Sequence, residues 1–158
     1  TTFLGNLAST TTFTARTNAN TLRTFTVPAM STGTWYHVVF TRSGGSLRCY
    51  VIAVESSTGA ITVMGTFSTD VLCGYFNTPS VSWIGNNDDP RIYNRALTQQ
   101  EITDLYGGSA EVTSGLVGYW PFEEGTGLTT ADGSGNGRTG TLTNGPTWST
   151  DVPAQLAG

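Results

Sequence analysis

Apolar and polar side chains alternate with a period of two along most of this chain. In TWYHVVFTR (34–42), Tyr36, Val38 and Phe40 fall on one face and Trp35, His37 and Val39 on the other. Both faces are therefore partly apolar, as expected of a strand inside a sandwich. SLRCYVIAV (46–54) repeats the pattern, with Leu47, Cys49, Val51 and Ala53 opposite Arg48, Tyr50 and Ile52. The intervening SGG predicts a hairpin between the two runs. Further strands are predicted at TFTART (12–17), NTLRTFTV (20–27), AITVMGTF (60–67), SVSWIG (80–85), LVGYWPF (116–122) and RTGTLT (138–143). Many short strands punctuated by Gly, Asn and Pro define an all-β sandwich or barrel.

One helix interrupts the alternation. Thr98 followed by Glu101 is a capping box, and Leu97 with Ile102 supplies the hydrophobic staple. The helix is predicted over about 99–106, with Ile102 and Leu105 facing inward and Gly107 as the left-handed stop. GGSAEVTS (107–114) follows as the only linker-like stretch. It spans at most about 26–29 Å.

Composition narrows the function classes. Charged residues are only 11% of the chain, with a net charge of -4, yet 11% of residues are aromatic, which argues against disorder. There is no Lys, and the seven Arg are scattered, so the basic footprint of a nucleic-acid binder is missing. No apolar run approaches the roughly 20 residues of a membrane helix, and no leader pattern opens the chain. Thr, Ser, Asn and Gly dominate, a composition associated with secreted and cell-surface proteins. Cys49 and Cys73 allow either a disulfide in an oxidising compartment or two buried thiols in separate strands.

The order of two motif groups is unusual. GTWYHVVFTRSGGSLRCYV (33–51) and SWIGNNDDPRIYNRALTQQEITDLY (82–106) resemble the second half of a laminin-G-like, concanavalin-A-like jelly roll. That family shows G-x-W-x-H-V, then L-x-x-Y-V, and closes on I-D-D-x-R-I-Y-N-R-A-L plus a short helix. GLVGYWPFEEGTGLTTADGSGNGRTGTLTNGPTW (115–148) is similar to the family's beginning, L-V-G-Y-W-x-F-x-E-G and D-x-S-G-N-x-x-x-G-x-L, yet it comes last. The resemblance implies an all-β, antiparallel two-sheet jelly roll with one short helix. Residues 1–106 form its C-terminal-type portion, 107–114 the linker, and 115–158 the N-terminal-type strands. The family's middle strands are not recognisable, and only Thr1 to Pro28 could replace part of them. Where the family carries Asn-Gly or Asp-Gly after Y-V, this chain has Ile52 and Ala53, so the reversal is expected to shift toward Ser56–Gly59.

The permuted order is compatible with a fold-back permutant, a strand donated to the next subunit, or a piece of a tandem array. The reading favoured by the sequence is an extracellular structural or adhesive subunit that assembles head to tail with itself. Val117, Tyr119, Trp120 and Phe122 are then the interface anchors. The alternative is a carbohydrate-binding, lectin-like module, with Trp148 after NGP as the glycan-binding candidate.

Enzymatic signals are weak. His37, the only His, alternates with Trp35 and Val39 and reads as a packed residue; no nucleophile-elbow pattern accompanies it. No Cys spacing suggests zinc. GNNDDP and ADGSGN are oxygen-rich, and the resemblance implies a structural Ca²⁺, for which Asp88, Asp89, Asp132 and Asn136 are the candidates; the competing reading is Asx-turn chemistry.

Overall fold

The computed structural model describes residues 2–6, 12–16, 22–52, 54–60 and 85–153. It contains ten strands and one helix among these residues: β1 (Thr2–Asn6), β2 (Thr12–Arg16), β3 (Leu22–Thr26), β4 (Trp35–Ser43), β5 (Ser46–Val51), β6 (Val54–Ala60), β7 (Asn87–Tyr93), α1 (Gln99–Gly107), β8 (Leu116–Tyr119), β9 (Thr129–Thr130) and β10 (Gly140–Thr141). Six strands form one sheet in the order β6-β5-β4-β1-β7-β8, while β2-β3 and β9-β10 are two-stranded ribbons. All the pairings are antiparallel. This is the antiparallel jelly-roll sandwich with one short helix that the resemblance implies, within the all-β class that the alternation predicts. Nearly all of the expected strands at 60–67 and 80–85, and Cys73, lie outside the described residues.

Alternation along β4 sorts its side chains into two apolar clusters. Tyr36 and Val38 pack with Val27, Met30, Leu47, Cys49 and Val51, joined by Phe40. On the other face Val39 packs with Tyr50, Tyr93, Leu97, Ile102 and Val112. Val38, Val39 and Ile102 are at most 1% exposed, so both faces of the strand are dry. Each such side chain contributes roughly 1.5–3 kcal/mol by leaving water.

The helix sits on the second face. Thr98 Oγ1 accepts from the Glu101 N–H (3.2 Å) while Glu101 Oε2 accepts from the Thr98 N–H (2.8 Å), completing the capping box. Arg95 reinforces it by donating to Glu101 Oε2 (2.8 Å). The left-handed residue is Gly108 (φ 61°), one position later than expected. The helix keeps Gly107 because the Gly108 N–H reaches back to the carbonyls of Asp104 and Leu105.

Three expectations are corrected by pairing partners distant in sequence. The β5–β6 reversal does not shift toward Ser56–Gly59: Val51 pairs with Val54, and Ile52 takes the turn at φ 52°. A β-branched residue there costs about 1–2 kcal/mol. The ladders of β5 with β4 and β6 hold it, and the Ile52 N–H donates to His37 O (2.9 Å). The strand expected over 116–122 stops at Tyr119, and Phe122 turns the chain with φ 59°. β1, absent from the predicted strands, lies at the centre of the sheet between β4 and β7.

The segment 115–153 adds a strand to the edge of the six-stranded sheet. β8 pairs with β7 through Arg91↔Tyr119, Ile92↔Gly118 and Tyr93↔Leu116. Gly118 has no Cβ for a steric reason: one would lie 2.6 Å from the Trp120 ring.

Candidate functional site

The seam between β7 and β8 holds buried charge. β7 contains Pro90 and a register shift against β1, with Asp89 at φ 58°. This irregularity lets consecutive acidic residues go inward: Asp88 and Asp89 are 6% and 9% exposed. Asp89 forms a 2.9 Å ion pair with Arg91, whose guanidinium lies 4.3 Å from the Tyr119 ring centroid. Burial, then a hydrogen bond to Asp89 and that residue's charge, push the Tyr119 hydroxyl up to about 12. Among the described residues Asp88 has no such cation of its own. Burial, followed by the charges of Asp89 and Glu123, pushes it up to about 6.

His37 and Asp88 are both register partners of Leu4, one on each side of β1. His37 stacks on Tyr106 of α1 (5.9 Å), and burial, then Arg91, lowers it to about 4. It is therefore neutral near pH 7. Its Nδ1 and the Arg91 Nε are buried without partners. This is the packed histidine expected from the alternation, although its packing partner is a helix residue that alternation does not reveal.

The loop ADGSGNGR (131–138) fastens β8 from outside. Asp132 Oδ1 accepts from the N–H groups of Tyr119 (3.1 Å) and Ser134 (2.9 Å), and Oδ2 from Arg138 N–H (2.9 Å). Burial pushes this carboxyl up, but the hydrogen bonds from Ser134, Arg138 and Tyr119 outweigh it and hold it down to about 2. Asn136 Nδ2 donates to the carbonyls of Leu116 (3.3 Å) and Val117 (3.2 Å), and Arg138 Nη1 donates to Val117 O (2.6 Å).

A more exposed constellation lies at one end of the sheet. Trp35, the first residue of β4, donates its indole N–H to Asp151 Oδ1 (3.1 Å), and Asn86 Nδ2 donates to Asp151 Oδ2 (2.8 Å). Asn86 is two residues from Asp88, on which Glu123 acts electrostatically. Next to Glu123, the Phe122 ring meets the Trp148 ring edge-on (6.4 Å), and Trp148 Nε1 is fixed on Gly127 O (2.9 Å). Three separated stretches, at 35, 86 and 151, thus meet in a cluster of an indole, an amide and a carboxylate, while Trp148, paired with Phe122, lies three residues before Asp151 in the chain. Asp151 lies in a tail with no recognisable sequence signal, and Trp35 is embedded in a core-like alternation. Of these residues the sequence singles out Trp148 alone as a glycan-binding candidate.

The remaining predicted site residues are distributed as follows. Of the Ca²⁺ candidates, Asp132 and Asn136 serve the backbone of β8 and their own loop, and Asp89 serves Arg91. Among the described residues no group of three or more His, Cys, Asp or Glu side chains could hold a metal ion. The donor set does not fit Ca²⁺, because the Asp132 oxygens already accept three N–H groups and Asp89 already has a cation. Cys49 carries a free thiol, fully buried and pushed up to about 12 by that burial. The interface anchors are used within the chain: Tyr119 lies under Arg91, Trp120 Nε1 donates to Arg138 O (2.7 Å), Phe122 packs on Trp148, and Val117 O accepts from the 131–138 loop.

The fold is a jelly-roll sandwich, and its surface carries the Trp35–Asn86–Asp151 cluster. The family model of the concanavalin A-like lectin/glucanases superfamily, laminin-G type, matches residues 2–103, and the chain belongs to this family. No curated protein sequence matches significantly. A crystal structure from Bacteroides ovatus ATCC 8483, described as a candidate carbohydrate-binding protein, superposes with a TM-score of 0.64 at 15% identity. The superposition covers 92% of this chain and 55% of that one, so the chain spans about half its length and the likeness concerns the fold. Among the described residues no helix is long and apolar enough to cross a membrane.

Proposed function

We propose that this chain is a non-catalytic carbohydrate-binding module acting outside the cell, and that it holds its glycan at the corner of Trp35, Asn86, Trp148 and Asp151. The observation that carries this reading is the convergence of Trp35 Nε1 and Asn86 Nδ2 on the two oxygens of the exposed Asp151. A pyranose has an apolar C–H face and a rim of hydroxyls. Indole rings match the face, while a fixed carboxylate and amide match the rim. Family membership and the carbohydrate-binding description of the structural neighbour support the same reading. Strand donation to a neighbouring subunit has no observation in its favour, because β8 is seated on β7 of its own chain.

A panel of soluble oligosaccharides titrated by calorimetry tests the proposal. At least one should bind, and Trp35→Ala and Asp151→Asn should each weaken binding about tenfold or more, roughly 1.4 kcal/mol. EDTA should leave the affinity unchanged. Absence of binding across the panel, or binding indifferent to both substitutions, rejects the corner as a glycan site.

A further inference from the structure

The sequence contains two Asn-Gly dipeptides, Asn136-Gly137 and Asn144-Gly145, and the fold treats them oppositely. We infer that Asn144 is a site of covalent self-modification, losing its amide through a succinimide to become aspartate or isoaspartate, while Asn136 is kept as an amide by the strand it fastens. In backbone and solvent access the two dipeptides match. All four residues are exposed, both glycines have positive φ (71° and 80°), and a Cβ built on either glycine meets nothing within 4 Å. Water and hydroxide reach both sites, and neither glycine carries a side chain to shield its nitrogen.

The asparagine side chains differ. Asn136 Nδ2 donates to Leu116 O (3.3 Å), Val117 O (3.2 Å) and Ser134 Oγ (3.0 Å), so its carboxamide must let go of β8 before it can close on the Gly137 nitrogen. Its conversion is also opposed by the product, since a carboxylate there faces two carbonyl oxygens and has no proton to offer them. Asn144 stands in the loop after β10, in the left-handed region (φ 65°) that Asn tolerates, and among the described residues no hydrogen bond holds its side chain. Its carboxamide is free to approach the Gly145 nitrogen. That nitrogen gives its proton to hydroxide and attacks Asn144 Cγ; the new C–N bond closes the imide, and the side-chain nitrogen leaves as ammonia. Water then opens the imide at Cγ, giving aspartate, or at the main-chain carbonyl, giving isoaspartate. The reaction consumes one water, releases ammonia and needs no other reactant. Either product adds a negative charge to a chain of net charge -4, and isoaspartate also lengthens the main chain four residues before Trp148.

The test is incubation of the folded protein at mildly alkaline pH, followed by peptide mapping with mass spectrometry that resolves Asn, Asp and isoAsp at each dipeptide. Asn144 should convert faster than Asn136 by about tenfold or more, because hydrogen bonds must break at Asn136 alone. In concentrated urea the two rates should converge, since the dipeptides are then chemically alike. Asn144→Gln should remove the acidic species that accumulates on ion exchange. Equal rates in the folded protein, faster conversion at Asn136, a ratio unchanged by urea, or an acidic species that persists in Asn144→Gln each overturn the inference.

Discussion

The two halves of the central sheet are stabilised differently. Where β4 meets β5, both faces are apolar, and Val38, Val39, Cys49 and Ile102 are at most 1% exposed. Where β7 meets β8, the buried groups are Asp88, Asp89 and Arg91, and β8 is fastened by side chains of a glycine-rich loop. The first half needs only volume and pattern. The second needs each carboxylate to find a donor, and it gains in exchange a polar face that leads out to the Trp35–Asp151 corner. The binding site proposed above borders the half whose packing is least apolar, as recognition of a hydrated ligand requires polar groups held in fixed positions.

Breaking the apolar half should cost most. Ile102→Ala removes the most buried side chain of the helix and should destabilise the fold by about 2–5 kcal/mol in urea denaturation, with m unchanged. A loss below about 1 kcal/mol would mean that α1 is not integral to the core. Asp132→Ala addresses the second half. Three N–H groups lose their acceptor, and the expected cost is about 2–3 kcal/mol, with faster hydrogen exchange at the Tyr119 amide. This carboxyl is held below its ordinary value, so its contribution is present above about pH 4 and is lost as pH falls through about 2. The difference between wild type and variant should shrink over that window.

Asp88 offers the smallest effect and the opposite sign. Its folded-state value, about 6, lies above the ordinary carboxylate value, so ionisation in the folded protein is unfavourable. Asp88→Asn should therefore stabilise by about 1–2 kcal/mol at pH 8. The gain should diminish as pH falls through about 6 and vanish near 4, where the wild-type group is protonated. His37 acts oppositely, because a folded-state value near 4 makes stability fall as pH drops from about 6.5. The variant-minus-wild-type difference isolates Asp88. Destabilisation at pH 8 would show that Asp88 has a cationic partner.

The local signals in the sequence were sufficient for the parts of the fold that are themselves local. Thr98 and Glu101 satisfy each other within one helical turn, so the helix start was legible without any tertiary knowledge. The β4–β5 hairpin was legible for the same reason: a short turn joins two alternating runs, and the alternation already separates two faces. The all-β class and the family resemblance rest on the repetition of such signals.

Tertiary pairing decided the rest. β1 carries no strong alternation, yet it becomes a central strand because β4 and β7 both offer it hydrogen bonds. Asp88-Asp89-Pro90 reads as a loop by composition, but a register shift and Arg91 let it run as a buried strand. Ile52 enters a conformation that its side chain resists, because the ladders on both sides of the turn are worth more than the local strain. The permuted order left the destination of β8 open, since a linker able to span about 26–29 Å reaches its own sheet or a neighbour's equally well; the pairing with β7 is a choice among distant partners. The corner is the extreme case: Trp35 and Asp151 stand 116 positions apart and meet only after the chain has closed upon itself. Periodicity reports which face a residue occupies, whereas a cluster assembled from residues 35, 86 and 151 depends on where those faces are brought together, and that information resides in long-range contacts alone.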